Sequence, residues 1–447
     1  MVLPEPFEGA HAFAQLMQLY RIAQVKKLSW YQLFPLFISI AIVTALIVDF
    51  SSWNSPQGFR LAYLIDLDVY RKGGQALFSG ENLYGQDYVV GDPRHSGSIT
   101  LPFTYPPFAA ALFAAFAWLP YGLNSLLLAL ASLALLFCIL YLVVRSAAPE
   151  KSTGATLTWA CWLLVAACLT EPVTQTINFG QINIILVALV VIDILAVPST
   201  SRWRGVLTGI AVAIKLTPAV FLGYFFIRRQ WRAMATTLVS FVACAALGFL
   251  FSASSSLQYW TETLRNSERI GGLAYASNQS LRGFFSRVAP EHASAAWLIT
   301  CLIVVAALWW IMHRVSQSGL TQPARPEAPN STVGDVELLL LASAAALLCS
   351  PVSWSHHFIW LTLAAAFLTV RRCYWAAALS WLVLFARGHW LVPSTNDQEL
   401  TWSLRQQVPG NDYLWLTCAL IALAAASSFS GSSTRETADN AQPKAVA

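Results

Sequence analysis

Charge is what this chain has least of. Only 11% of its 447 residues are charged and 57% are hydrophobic, whereas a soluble domain typically carries roughly 25% charged residues. With a mean hydropathy of +0.56 and 18 Trp, 25 Phe and 14 Tyr, polar groups are too few to cover the surface. Much of that surface must face lipid. The shortage excludes a soluble enzyme, a secreted disulfide scaffold and a nucleic-acid-binding module. Paired cysteines are missing too. Cys138, Cys161, Cys168, Cys244, Cys301, Cys349, Cys373 and Cys418 all lie in apolar runs, with no CxxC and no histidine at metal spacing, which predicts buried free thiols acting as small hydrophobes. No cleavable signal peptide is visible. The first apolar run begins near Leu33, behind a polar segment with Arg21, Lys26 and Lys27, and predicts an uncleaved membrane helix with its N-terminus inside. The net charge of +5 is small for the length and reads as topology.

A bilayer-crossing helix needs about 20 apolar residues, within a range of roughly 17–25. Apolar runs lie at 33–50, 123–144, 156–170, 181–197, 203–227, 234–252, 295–314, 337–349, 357–370, 374–392 and 412–428. The run 203–227 is interrupted by Lys215 and Pro218, which predicts two short helices, 203–214 and 216–227, meeting at a break. The run 107–119 lies between Pro106-Pro107 and Pro120 and is short for a crossing, so it is expected to be re-entrant or interfacial. Twelve crossings then put Arg145/Lys151, Arg202/Arg204, Arg228/Arg229/Arg232, Arg314 and Arg371/Arg372 at cytoplasmic junctions, as the positive-inside rule requires. Counting 107–119 as a crossing would put all of them outside. The expected architecture is an all-α polytopic protein of the cell membrane. It has one domain over 1–428, both termini cytoplasmic, a segment 315–336 rich in Pro, Ser and Gln, and a disordered polar tail from Ser427 to the end (429–447).

The same topology turns outward the loops 51–106, 253–294 and 393–411, the segment 171–180, the break at Lys215 and the link 350–356. Nearly every unusual polar residue falls in that set. The first loop holds Asp66-Leu67-Asp68-Val69-Tyr70, then Gly73-Gly74, Gly80 and Leu83-Tyr84. Two carboxylates at i and i+2 suit a general base or a metal ligand, or else a solvated acidic loop. An ammonium at membrane depth is costly and marks a functional site by default. At the start of a helix, Lys215 fits a phosphate site; its alternative is to snorkel. Arg265, Arg269 and Arg282 would add positive charge from the loop after 253. His356 and His357 lie at the mouth of a helix with no third ligand evident, so no metal site is expected there.

Read in order, DLDVY–GG–G–LY, FTYPPFAAALF, GQINIIL, GVLTGIAVAIKLTP, NQSLRGFFSR and SPVSWSHHF resemble the polyprenyl-phosphate-dependent glycosyltransferase family 87, of GT-C fold, from about 60 to 360. Glu399-Leu400-Thr401-Trp402 resembles the actinobacterial α-1,2-mannosyltransferases of that family. The resemblance implies a polyprenyl-phospho-mannose donor, a lipid-linked mannoside acceptor of phosphatidylinositol mannoside or lipomannan type, and inversion at the anomeric carbon. It implies that Asp66 is the catalytic acid and that His356 or His357 acts with it. Many members carry Asp where this chain has Ser355.

Inversion by single displacement needs a base at the acceptor hydroxyl and positive charge at the departing phosphate. Asp66 suits the first role; Lys215, with Arg269 and Arg282, suits the second. Neither a metal nor another cofactor is then required. Asp68, Tyr70, Tyr105, Gln181, Asn183, Asn278, Gln279, Trp354, Glu399 and Trp402 are expected to bind substrate, Trp354, Trp390 and Trp402 as platforms for sugar faces. The polyprenyl chain would lie in a groove between helices. The protein is expected to act as a monomer, without nucleic acid. A transporter or flippase is the rival class, but matched breaks in two halves are absent: only the run around Lys215 is broken. An arabinose donor is the alternative within the enzyme class.

Overall fold

The computed structural model describes residues 29–49, 60–91, 98–317 and 332–439. Arg21, Lys26 and Lys27, most of 315–336 and the last eight residues of the tail, 440–447, lie outside the described residues. Helix α1 (Trp30–Ile47) passes into β1 (Val48–Asp49), which pairs antiparallel with β2 (Arg60–Leu61). The stretch 51–106, read as a loop, holds α2 (Ile65–Phe78) and a second antiparallel pair, β3 (Asp87–Val90) with β4 (Ile99–Pro102). The fold is therefore helical with two small strand pairs, not wholly α.

Helix α3 (Pro107–Ala117) starts on Pro107 and α4 (Tyr121–Ala147) follows Pro120, positions where a missing N–H breaks no helical bond. Then come α5 (Thr153–Cys168), capped by Ser152, and α6 (Glu171–Phe179), α7 (Asn183–Leu195) and α8 (Val206–Ile214). After Lys215 a 3₁₀ turn over Thr217–Val220 leads into α9 (Phe221–Ile227). The expected break is present: Lys215 is extended (φ −151°) at the end of α8, and Pro218 cannot donate to continue the ladder. The last part of the chain forms α10 (Trp231–Phe251), α11 (Ala253–Thr261), α12 (Leu281–Val288) and α13 (Ala293–Gln317). It ends with α14 (Val333–Cys349), α15 (Ile359–Val370), α16 (Tyr374–Ala386), α17 (Leu404–Gly410) and α18 (Asp412–Asp439). Helix α18 is the longest of these, from Asp412 to Asp439.

Among the described residues four helices, α1, α4, α10 and α13, are long and apolar enough to cross a membrane. Counting the bent pairs α5–α6 (71°) and α17–α18 (74°) as one span each gives up to six. Other expected crossings are shorter: α7 has 13 residues and α15 has 12, rising only about 18–20 Å. These short helices are the inner ones. α4, α7, α14 and α15 pack on one another and bury Leu136, Ile139, Val190, Leu338 and Leu363. α10 and α13 instead turn Leu250, Leu302 and Ile303 outward, as a lipid-facing surface demands. All eight cysteines are free; Cys161, Cys168 and Cys244 are buried as expected, whereas Cys373 is exposed.

The basic junctions lead to a test of parity. New cysteines at the exposed positions Thr261 and Gln398 should react with an impermeant maleimide in intact cells. Those at Glu150 and Thr200, also exposed, should react only after lysis. Labelling of Glu150→Cys in intact cells would reverse the topology.

Candidate functional site

Helix α2 carries Asp66 and Asp68 in its first turn, where the helix dipole favours carboxylates. Two close approaches place that turn. A Cβ on Gly74 would come within 2.7 Å of the Ala114 backbone, so only glycine lets α2 lie against α3. Gly180, left-handed at φ 69° where α6 ends, has no room for a Cβ either: it would sit 2.8 Å from Leu67 Cβ. Gln181 is thereby set beside Asp66.

Gln181 is oriented by two phenols. Its Oε1 accepts from Tyr70 (2.7 Å) and Tyr105 (3.2 Å), whose hydroxyls also meet at 2.9 Å. The amide nitrogen is left to donate, and Gln181 hydrogen-bonds Asp66. Crowding by protein raises the Asp66 carboxyl to about 7, while the Gln181 hydrogen bond and the Lys215 ammonium pull it the other way. A carboxylate tuned near neutrality suits a general base. Asp68 has other work: it accepts from Tyr63 (2.7 Å) and pairs with Lys72 at 2.8 Å. The two acids are thus distinguished by their partners.

Lys215 stands over the Tyr105 ring (5.6 Å) with its Nζ 3.0 Å from His357 Nε2. The Trp354 backbone N–H donates to His357 Nδ1 at 3.2 Å, so the neutral imidazole carries its proton on Nε2. Ammonium and Nε2–H are then two donors 3.0 Å apart, and neither satisfies the other. An anionic oxygen seated against both would. A pocket of about 50 Å³ opens there, lined also by Asn183, Ser353 and Trp360. His356 is placed differently. Its carbonyl accepts from Thr176 (3.1 Å) and Asn183 (3.2 Å), and its buried ring, between Phe179 and His357, has no hydrogen-bond partner at either nitrogen. Burial first, then the Lys215 charge, depresses it to about 3 against the opposing pull of Glu171, so it is neutral at physiological pH.

Glu171 is the residue that sequence reasoning missed. It is buried at the start of α6 and accepts from Ser355 Oγ (2.6 Å), Trp390 Nε1 (3.2 Å) and Tyr413 Oη (3.0 Å). His389 lies 3.7 Å away and bonds Asp412 at 2.8 Å. The carboxylate that holds the SWSHH turn therefore comes from α6, not from position 355. The available signal was an acid between two apolar runs, which is a candidate site on cost grounds.

The model of glycosyltransferase family 87 matches residues 103–351. A polyprenol-phosphate-mannose-dependent α-(1-2)-phosphatidylinositol mannoside mannosyltransferase of Mycolicibacterium smegmatis is 35% identical over 404 residues, 86% of this chain and 88% of its own. The protein of the same name from Mycobacterium tuberculosis is 34% identical over 81% of this chain and 84% of its own. A polyprenol-phosphate-mannose-dependent α-(1-2)-phosphatidylinositol pentamannoside mannosyltransferase of M. smegmatis is 31% identical over 74% of each chain. The chain belongs to glycosyltransferase family 87.

In this family member the expected site residues divide into two groups. Asp66, Tyr70, Tyr105, Gln181, Asn183, Lys215, His356 and His357 gather as described. Asn278, Gln279, Glu399 and Trp402 hold loops to each other. Asn278 Oδ1 accepts from Ser353 N (3.0 Å), and Gln279 Nε2 donates to the carbonyls of Ala276 and Gly410 (2.7 and 2.9 Å). Glu399 accepts from Ala276 N (3.0 Å), and Trp402 donates to the Pro393 carbonyl (2.7 Å) under the Arg287 guanidinium. Trp354 and Trp390 both pack on Tyr275. The loop arginines do not join Lys215: Arg269 donates to the Tyr84 carbonyl (3.2 Å) and covers its ring, and Arg282 covers Trp297. Arg265 is exposed.

Two outcomes follow for the acids. Asp66→Asn should lower sugar transfer about 10²–10⁴-fold, and Asp68→Asn by much less; the reverse order in a membrane transfer assay would move the base to Asp68. In wild type, kcat/KM should fall as pH drops below about 7, where Asp66 takes up its proton. In Lys215→Met this limb should move to higher pH, because a charge that holds the carboxyl down is gone. An unmoved limb would show that another group titrates.

Proposed function

We propose that this chain transfers mannose from polyprenyl-phospho-mannose to a phosphatidylinositol mannoside or lipomannan-type acceptor, making an α-1,2 linkage with inversion on the outer face of the membrane. The donor and acceptor classes are those named for relatives that match along most of the chain. The observation that supports the chemistry is a carboxyl near neutrality that feels the Lys215 charge, with Lys215 and His357 presenting two donors 3.0 Å apart. The acceptor hydroxyl oxygen attacks the anomeric carbon as its proton passes to Asp66. The bond from that carbon to the phosphate oxygen breaks, and both its electrons leave with the polyprenyl phosphate. Lys215 and the Nε2–H of His357 meet the charge on that oxygen. Gln181, fixed by Tyr70 and Tyr105, keeps Asp66 aimed. Glu171 positions the turn bearing both histidines through Ser355.

Membranes supplied with labelled polyprenyl-phospho-mannose and phosphatidylinositol mannosides should form a product whose new bond is α-1,2. Transfer from polyprenyl-phospho-arabinose in its place would overturn the sugar assignment.

Lys215 gives a sharper test. A charge-assisted contact is worth about 1.5–3 kcal/mol, so Lys215→Met should weaken donor binding about ten- to a hundredfold and leave acceptor binding little changed. Lys215→Arg should recover part of the loss, since a planar fork replaces a point charge imperfectly. Donor affinity by titration decides it: an unchanged value in Lys215→Met would reduce the residue to a snorkelling lysine.

A further inference from the structure

A larger cavity lies away from the Asp66 cluster. It is a slot of about 500 Å³ between α14, α15, α16 and α18, within the roughly 300–1,000 Å³ of small-molecule sites. Most of its wall is apolar, with Leu340, Ala344, Ala364 and Leu420 among the lining residues. At one end are Leu347 and Trp360, which also line the pocket beside Lys215 and His357. At the other are Glu337, Arg371 and Arg372. Ten residues of α14 and eleven along α15 separate the two ends, about 15 Å of helix rise.

Glu337 feels the Arg371 charge, but the three groups have few direct partners. Among the described residues none of them makes an ion pair, and Arg371 donates one hydrogen bond, to the Ala147 carbonyl at 3.3 Å. Two guanidiniums and a carboxylate at the end of an apolar slot match a molecule with a chain, a phosphate and an ammonium. We propose that the slot binds one glycerophospholipid with a phosphoethanolamine head group: an acyl chain along the apolar walls, the phosphate on Arg371 and Arg372, the ammonium at Glu337. Guanidiniums hold phosphate in paired, charge-assisted bonds. A purely anionic head group would leave Glu337 facing like charge. An isoprenoid chain entering past Trp360 would leave all three charges unmatched.

Native mass spectrometry of the full chain in detergent, delipidated and reloaded, tests this. The probes are phosphatidylethanolamine, phosphatidylglycerol and decaprenyl phosphate. Wild type should take up one phosphatidylethanolamine per chain and bind phosphatidylglycerol about tenfold more weakly. Losing two charge-assisted contacts in the Arg371→Gln/Arg372→Gln variant should cut phosphatidylethanolamine binding tenfold or more, on the order of 1.4 kcal/mol per tenfold. Glu337→Gln, a mild change, should erase the preference between the two phospholipids. Equal binding of both by wild type, a preference that survives Glu337→Gln, or full uptake by the arginine variant would overturn the proposal. Displacement of phosphatidylethanolamine by decaprenyl phosphate would also overturn it, assigning the slot to an isoprenoid chain.

Discussion

Everything around the pocket beside Lys215 depends on the approach of its Nζ to within 3.0 Å of His357 Nε2. An unbroken helix over 203–227 would bury its polar backbone and offer no end in the middle of the bundle. The break between α8 and α9 frees that end, and Pro218 makes the break unavoidable. Asp193 fixes where it falls: its carboxylate takes the N–H groups of Gly205 and Thr208 at 2.8 Å each and the Thr208 hydroxyl at 2.7 Å, which pins the start of α8 nine residues ahead of Lys215. The imidazole is held from its own side by the Trp354 N–H. Lysine and histidine therefore arrive from two separate parts of the chain, each held from its own side.

A division of labour runs through the polar residues. Asp66, Lys215 and His357, the groups of the proposed chemistry, are only partly buried. Those that hold them, Gln181, Tyr70, Tyr105 and Glu171, are buried and have their hydrogen bonds made. Low dielectric strengthens such a network as long as every member is satisfied.

Much of this was legible in the sequence because it breaks local rules. A lysine and a proline interrupt an apolar run, and two acids follow an apolar stretch; both stand out without any structure. The motif order gave the family, and the helix break falls where the run 203–227 divides. Other features depend on distance along the chain. The segment with Gly73 and Gly74 reads as a loop because paired glycines disfavour helix, yet the helix needs both missing side chains, at Gly73 against the Phe103 ring and at Gly74 against α3, and tertiary packing wins. Glu399 and Trp402 read like substrate ligands, but Glu399 Oε1 accepts from the Ala276 N–H and Trp402 Nε1 donates to the Pro393 carbonyl of its own loop. Helix lengths were also misjudged where short inner helices are surrounded by longer ones, since a helix shielded from lipid has no need to match the bilayer thickness.

The partners of Glu171 have a consequence for how the protein is made. Ser355, Trp390 and Tyr413 follow it by 184, 219 and 242 residues. At a synthesis rate of roughly 5–20 residues per second, the last of them leaves the ribosome about 12–48 s after the carboxylate does. Until Ser355 emerges, about 9–37 s after Glu171, a nascent chain carries an acid with no native side-chain donor among apolar helices. Insertion of the N-terminal helices cannot be final until the C-terminal ones arrive. A chain truncated before α17 would keep Ser355 and Trp390 on one oxygen of Glu171 and lose Tyr413, leaving the other oxygen without its donor for the cell's quality control to meet.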